Sequence, residues 1–470
     1  MTAHDTPSIA VEALSVFVGA TRLLGPVSFR VAAGETLVIM GETGAGKSLT
    51  AQAILGILPK NLRAEGKIVI NGRRVDALAS ADRSALWGHE IATLPQEPWR
   101  ALDPLMQAGP QVTEAHRYVA GLPPEDARRA CARDFETLGL EGAERRLPGT
   151  LSGGMAQRVA FAAATAGCAP ILLADEPTKG LDARRHARVL GLLAQVPKDG
   201  GALLVITHEA AVARVLGGDI IVLRDGRVIE QGRSDDILAR PQEPYTQDLL
   251  AADPQAWPKS ESAPDGAVVL SAKDLAVTRG ERVLIEGFDL SLRAGERVAV
   301  TGPSGIGKTT LLDTLAGLIA PARGRVQRAA GLGRHAVQKL YQDPPAAFPP
   351  YVPLHQSLRD VARLHGVAWD RVTEYLMALN LYPALLERRP DAVSGGELQR
   401  ISLARALTVA PVVLLADEPT SRLDPITQRQ TLELLAKITK DKGISIVLVT
   451  HNAAIAENWA HQSIAVKPAT

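Results

Sequence analysis

The chain has 470 residues, with 52 Lys and Arg against 51 Asp and Glu, and two cysteines. That length holds roughly two to four ordinary domains; a net charge of +1 gives no bulk electrostatic case for nucleic acid; Cys131 and Cys168 make no disulfide framework, which fits a reducing cytosol. No run of about 18 apolar residues is present, so no membrane span is expected, and the first ten residues, MTAHDTPSIA, lack the apolar stretch of a signal peptide.

In chain order, the apolar run TLVIM (Thr36 to Met40) reads as a buried strand and LTAQAILGIL after it as a helix. Between them lies GETGAGKS, which fits G-x-x-x-x-G-K-[ST] in the strand–loop–helix context that the motif requires. Gly41, Glu42, Thr43, Gly44, Ala45 and Gly46 would wrap phosphates with backbone amides, reinforced by the helix N-terminus. Lys47 should reach the β- and γ-phosphates, and Ser48 should ligate Mg²⁺. Gln96, in QEP, is a candidate side-chain oxygen for Mg²⁺ or the attacking water. LSGGMAQR places Ser152, Gly153 and Gly154 just before a helix, where glycine leaves amides free to face a ligand. ILLADEPT is a buried strand that carries Asp175 and Glu176 to its C-terminal end, where ligands sit in doubly wound sheets. Asp175 would hold Mg²⁺ through water; Glu176 would polarise the attacking water or act as its general base. LLVITH ends on His208, beside the other motifs a candidate γ-phosphate contact, and IIVLRDGRVIEQG reads as a hairpin with DG at its turn.

Residues 251–267, beginning AADPQAWPKSESAPDG, read as an exposed linker able to span about 50 Å. The pattern then repeats. RVAVT leads into GPSGIGKT, giving Gly302, Pro303, Ser304, Gly305, Ile306, Gly307, Lys308 and Thr309. Gln342 follows in QDP, Ser394, Gly395 and Gly396 in VSGGELQR, Asp417 and Glu418 in VLLADEPT, and His451 in IVLVTH. Ser152 to Glu176 and Ser394 to Glu418 are both 24 residues; Glu176 to His208 is 32 and Glu418 to His451 is 33. Such register identifies a duplication. It slips once, because Lys47 to Gln96 is 49 residues whereas Lys308 to Gln342 is 34. Strand-like and helix-like runs alternate in both copies, which predicts two tandem α/β domains on parallel sheets, at 8–250 and 268–470, the second shortened.

A phosphate loop, a glutamine, SGG, DEP and a histidine, in that order and twice over, resemble the ATP-binding-cassette family along nearly the whole chain. The resemblance implies an antiparallel β subdomain and a helical signature subdomain beside each core. It implies ATP as substrate, Mg²⁺ as cofactor, and two head-to-tail composite sites. Ser152, Gly153 and Gly154 would cap the nucleotide on Lys308; Ser394, Gly395 and Gly396 would cap the one on Lys47. KGLDA (from Lys179) and SRLDP (from Ser421) resemble the family's D-loop, with Lys179 in place of the usual small residue. Adenine would stack near Phe17 and Val18 in one copy and on Arg279 in the other.

Within the family, LPQEPWRALDPLMQAGPQVTE and RPQEPYTQDLL resemble segments of oligopeptide, dipeptide and nickel importers. That implies an ATPase at the inner face of the cell membrane, serving separate permease subunits and a solute-binding protein, with no direct nucleic-acid partner. Fused cassettes also occur in energy-coupling-factor vitamin importers, and a non-transport ATPase acting on ribosomes or nucleic acid is the alternative of a different class.

Overall fold

The computed structural model describes residues 8–78, 80–95, 101–178, 183–280, 282–303, 305–333 and 335–467. The chain divides into two units, Met1–Leu250 and Ala251–Thr470. Among the described residues no helix is long and apolar enough to cross a membrane.

The first unit is built on a six-stranded sheet in the order Arg227–Arg233, Asp219–Arg224, Thr36–Met40, Ala202–Thr207, Ile171–Asp175, Ile91–Leu94. All its pairings are parallel except that of the outermost pair, Arg227–Arg233 with Asp219–Arg224. The central strands read as unbroken apolar runs because helices or sheet cover both faces: TLVIM and ALLVIT are buried at every position. The expected hairpin is present, with Asp225 and Gly226 at φ 48° and 73°, the doubly left-handed turn that matches strand twist. An antiparallel sheet of Thr21–Val31, Ile9–Val18, Leu62–Ile70 and Arg73–Arg74 packs its apolar face on this core. A helical region gathers Leu102, Val112, Phe135, Ala156 and Val159 into its own cluster and carries the helix Gly153–Thr165.

The second unit repeats the plan on a five-stranded parallel sheet, Val337–Leu340, Val413–Asp417, Ser445–Val449, Arg297–Thr301, Gln462–Ala465. Its antiparallel sheet has three strands, Arg282–Arg293, Val268–Arg279 and Arg323–Arg328. The outer strand Gln462–Ala465 stands where the first unit has Asp219–Arg224.

Two expectations change. The helix after the first phosphate loop ends at Leu55, because Gly56 takes a left-handed C-cap at φ 76°. The stretch read as an exposed linker is mostly exposed or half-buried, but it is also tethered to the second unit. Trp257 packs against that unit's core, Ser260 Oγ accepts from Arg297 Nη2 at 2.6 Å, and Asn458 donates to Pro254 O at 2.9 Å. An indole and a few side-chain hydrogen bonds outweigh the flexibility that Pro, Ser and Ala content suggests.

The strand that feeds the second phosphate loop begins at Arg297, whose N–H donates to His461 Nδ1 at 3.0 Å. An accepting Nδ1 must be unprotonated. Burial and then the Arg297 charge lower His461 from 6.5 to about 4. A depressed histidine favours folding while it stays neutral. Its contribution is complete above the ordinary value of 6.5 and declines as pH falls toward about 4. Replacing His461 by Asn keeps an acceptor that does not titrate. Melting curves of the two proteins should therefore draw together as acid is added over that range, the parent losing more; parallel pH profiles would remove His461 from the account.

Candidate functional site

Each phosphate loop leaves a buried strand and enters a helix at its lysine. Gly41, Gly44 and Gly46 stand at φ 151°, 89° and 99°; Gly302, Gly305 and Gly307 stand at 152°, 79° and 105°. The glycines of the two loops thus match in φ, and a side chain at Gly41 would meet Leu223 O at 2.3 Å. Thr43, Gly44 and Ser48 lie at the surface, and Ala45 is buried. Lys47, 6% exposed, turns back to donate to Gly41 O at 2.8 Å and Glu42 O at 2.9 Å. Lys308 makes the same pair of bonds to Gly302 O and Pro303 O at 2.8 and 2.9 Å. Both ammonium groups are held by loop carbonyls at the mouth of a nest of amides, a cradle suited to a polyphosphate.

The acidic pair follows at the end of the next strand but one, beyond Ala202–Thr207 in the first sheet and Ser445–Val449 in the second. Glu176 and Glu418 adopt φ 49° and 48°, a left-handed conformation that costs a non-glycine residue energy. Each is tied to its histidine: His208 Nδ1 lies 2.8 Å from the Glu176 carboxylate, and His451 Nε2 lies 2.5 Å from Glu418. Glu176 also lies 3.7 Å from Lys47 Nζ, and Gln342 Nε2 donates to Glu418 at 3.2 Å. Burial alone would raise Glu418, but His451, Lys308 and Gln342 hold it below the ordinary carboxylate value. A carboxylate kept charged in a half-dry site is an acceptor for a water proton.

Asp175 and Asp417 end the strands that carry these glutamates. Burial pushes the Asp417 carboxyl up, offset in part by the Thr309 hydroxyl and by Lys339 and Lys308. Ser48 or Thr309, one aspartate and phosphate oxygens make the hard-oxygen set that Mg²⁺ accepts, and a buried carboxyl of raised pKa beside Thr309 is what a cation would re-ionise. The residues present therefore fit the metal.

The SGG residues open helices. Ser152 caps Gly153–Thr165 by accepting from Met155 N at 3.4 Å. Ser394 caps Gly395–Thr408 in a full capping box with Glu397. Gly154 and Gly396 each follow in the first turn. Gln96, Ser304 and Lys179 lie outside the described residues. Of the adenine candidates, Phe17 has the Arg63 guanidinium 5.1 Å above its ring, Val18 is 36% exposed, and Arg279 is exposed at a strand end.

Several residues near the site escaped the sequence reading. Buried Gln157 donates to Pro177 O, and buried Gln399 to Glu418 O at 3.0 Å, so each signature helix is bonded to the backbone just after its acidic strand. The signal was available: both glutamines stand at one place in the repeated phrase. Glu209 bonds His186 at 2.8 Å and Thr178 at 3.1 Å beside His208. Lys339 pairs with Asp313 at 2.5 Å in the second unit alone, since Gln52 occupies the equivalent of Asp313.

The ABC transporter family model matches residues 24–179 and 285–421. The peptidoglycan transport ATP-binding protein YejF of Agrobacterium fabrum is 32% identical over 99% of this chain and 92% of its own length. The glutathione import ATP-binding protein GsiA of Salmonella paratyphi A is 30% identical over 93% of this chain and 80% of its own. An uncharacterised ABC transporter ATP-binding protein, YejF of Escherichia coli K12, is 31% identical over 95% and 90%. A solved structure titled RNase-L Inhibitor superposes with a TM-score of 0.69 over 96% of this chain and 87% of its own; at 20% identity it speaks to the fold alone. Two matched regions and relatives aligned along nearly all of its length place the chain in the ABC transporter family, as an ATPase with two cassettes.

Proposed function

We propose that this chain is the ATP-hydrolysing subunit of an importer for peptides, nickel or similar small solutes. It would work at the inner face of the cell membrane on separate permease subunits, supplied by an extracytoplasmic solute-binding protein. The observation that carries the reading is that lysine, acidic pair and histidine recur with matching contacts in both cassettes, so neither site has decayed. The importer class rests on the relatives named for peptidoglycan transport and glutathione import.

In this reading Gly41 to Ser48 and Gly302 to Thr309 hold the phosphates, with Lys47 and Lys308 moving from loop carbonyls onto them. Ser48, Asp175 and Gln96, and Thr309, Asp417 and Gln342, hold Mg²⁺. The bound ion supplies neutralisation of phosphate charge. Glu176 and Glu418 orient the attacking water or take its proton, and His208 and His451 keep those carboxylates in place and face the γ-phosphate. Ser152, Gly153 and Gly154 close over the nucleotide of the other loop, as do Ser394, Gly395 and Gly396, which gives the repeated phrase its reason.

Replacing Glu176 and Glu418 together by Gln should cut turnover about a hundredfold or more while ATP stays bound. Turnover at the parent rate would withdraw these carboxylates from catalysis.

Site sharing has its own test, run in that Glu→Gln background. Lys47→Ala with Ser394→Arg strikes one composite site twice and should leave about one ATP trapped per chain; Lys47→Ala with Ser152→Arg strikes both sites and should leave almost none. The reverse pattern would mean that each cassette caps its own nucleotide.

Purified from membranes in mild detergent, the chain should bring integral permease subunits with it. Recovery of ribosomes in their place would favour the non-transport reading.

A further inference from the structure

We propose that Tyr245 is a positioning residue for the first phosphate loop, doing there what the ring of Pro303 does in the second; this rests on reading Gly41 to Ser48 as an ATP site. The segment RPQEPYTQDLL forms the helix Pro244–Ala251, and Tyr245 lies 6% exposed within it. Its ring packs under the Arg224 guanidinium at 4.9 Å, and its hydroxyl accepts the Glu42 N–H at 2.9 Å. These partners are 203 residues apart in sequence.

The Glu42 N–H belongs to the same planar peptide as Gly41 C=O. That carbonyl is the one Lys47 Nζ bonds at 2.8 Å. One peptide plane is therefore pinned at both ends, by the lysine on one side and by the tyrosine on the other. When Lys47 leaves Gly41 O for a phosphate, the tyrosine bond remains, and the loop keeps the orientation of its amides. The hairpin helps from behind, since Gly226 N donates to Ala45 O at 3.2 Å.

At Gly302 the second loop matches the first without an N–H at the following residue. Gly302 and Gly41 differ by one degree in φ, and Lys308 bonds Gly302 O as Lys47 bonds Gly41 O. Pro303 has no N–H to satisfy and fixes its own φ by its ring. Glutamate with tyrosine in one cassette and proline in the other are two solutions to one constraint.

The test uses the full chain with Lys308→Ala, so that a non-hydrolysable ATP analogue reports the first loop. Tyr245→Phe keeps the ring and its packing and removes only the hydroxyl. It should weaken analogue binding roughly three- to tenfold, the effect of one hydrogen bond. Adding Glu42→Pro to Tyr245→Phe removes the stranded N–H and should restore binding to within about twofold, a rescue that a loss of general stability would not give. In a Lys47→Ala chain, where only the second loop binds, Tyr245→Phe should change nothing. Unaltered affinity in the Lys308→Ala chain, no rescue by proline, or an equal loss at both loops would each overturn the inference. If the Lys308→Ala parent itself fails to bind the analogue, the nucleotide reading of the first loop falls, and the role of Tyr245 with it.

Discussion

A buried ammonium must have partners, and that constraint organises both halves of this protein. Lys47 and Lys308 are each 6% exposed. Leaving such a charge unpaired would cost several kcal/mol. Each lysine meets the demand with two carbonyls of its own loop. Loop carbonyls turned toward the lysine set the orientation of the peptide planes that follow them. A glycine-rich loop between a buried strand and a helix is what permits that arrangement, and the strand is buried because the sheet is covered on both faces. The loop glycines and the lysine together suit an anion, and a phosphate would exchange with the carbonyls as the lysine's partner.

The same economy governs the acidic side of the site. Glu176 and Glu418 sit in left-handed backbone at nearly equal angles, and each spends its carboxylate on a histidine from the next strand. The two histidines use different ring nitrogens, Nδ1 in the first cassette and Nε2 in the second. What the duplication has kept is the position of the carboxylate rather than the details of the group that holds it. Gln157 and Gln399 add a tether from the signature helix to the backbone just after each acidic strand.

The sequence made legible whatever depends on neighbours in the chain. The phosphate loops, the acidic pairs and the terminal histidines are runs of a few residues between apolar strands, and periodicity with spacing located them. The hairpin after Asp219 was legible for the same reason, through Asp225 and Gly226. What stayed hidden are bonds between residues far apart. Tyr245 to Glu42 and Arg297 to Ser260 leave no local pattern, because only the folded sheet brings those segments together. At residues 251–267 composition shows an exposed stretch but not that Trp257 packs against the core of the second unit.

The two cassettes have parted most in what surrounds the loops, and least in the loops themselves. The second has a shorter path from Lys308 to Gln342, a smaller antiparallel sheet, and a lysine–aspartate pair at Lys339 and Asp313 where the first has Thr93 and Gln52. Its signature serine is locked into a capping box that the first lacks, since Glu397 stands where the first has Met155. Ser394 Oγ thus donates to a carboxylate at 2.8 Å, whereas Ser152 Oγ accepts a backbone amide at 3.4 Å. The duplication has thus kept the serine at the start of each signature helix while changing what holds its hydroxyl, a carboxylate in one copy and a backbone amide in the other.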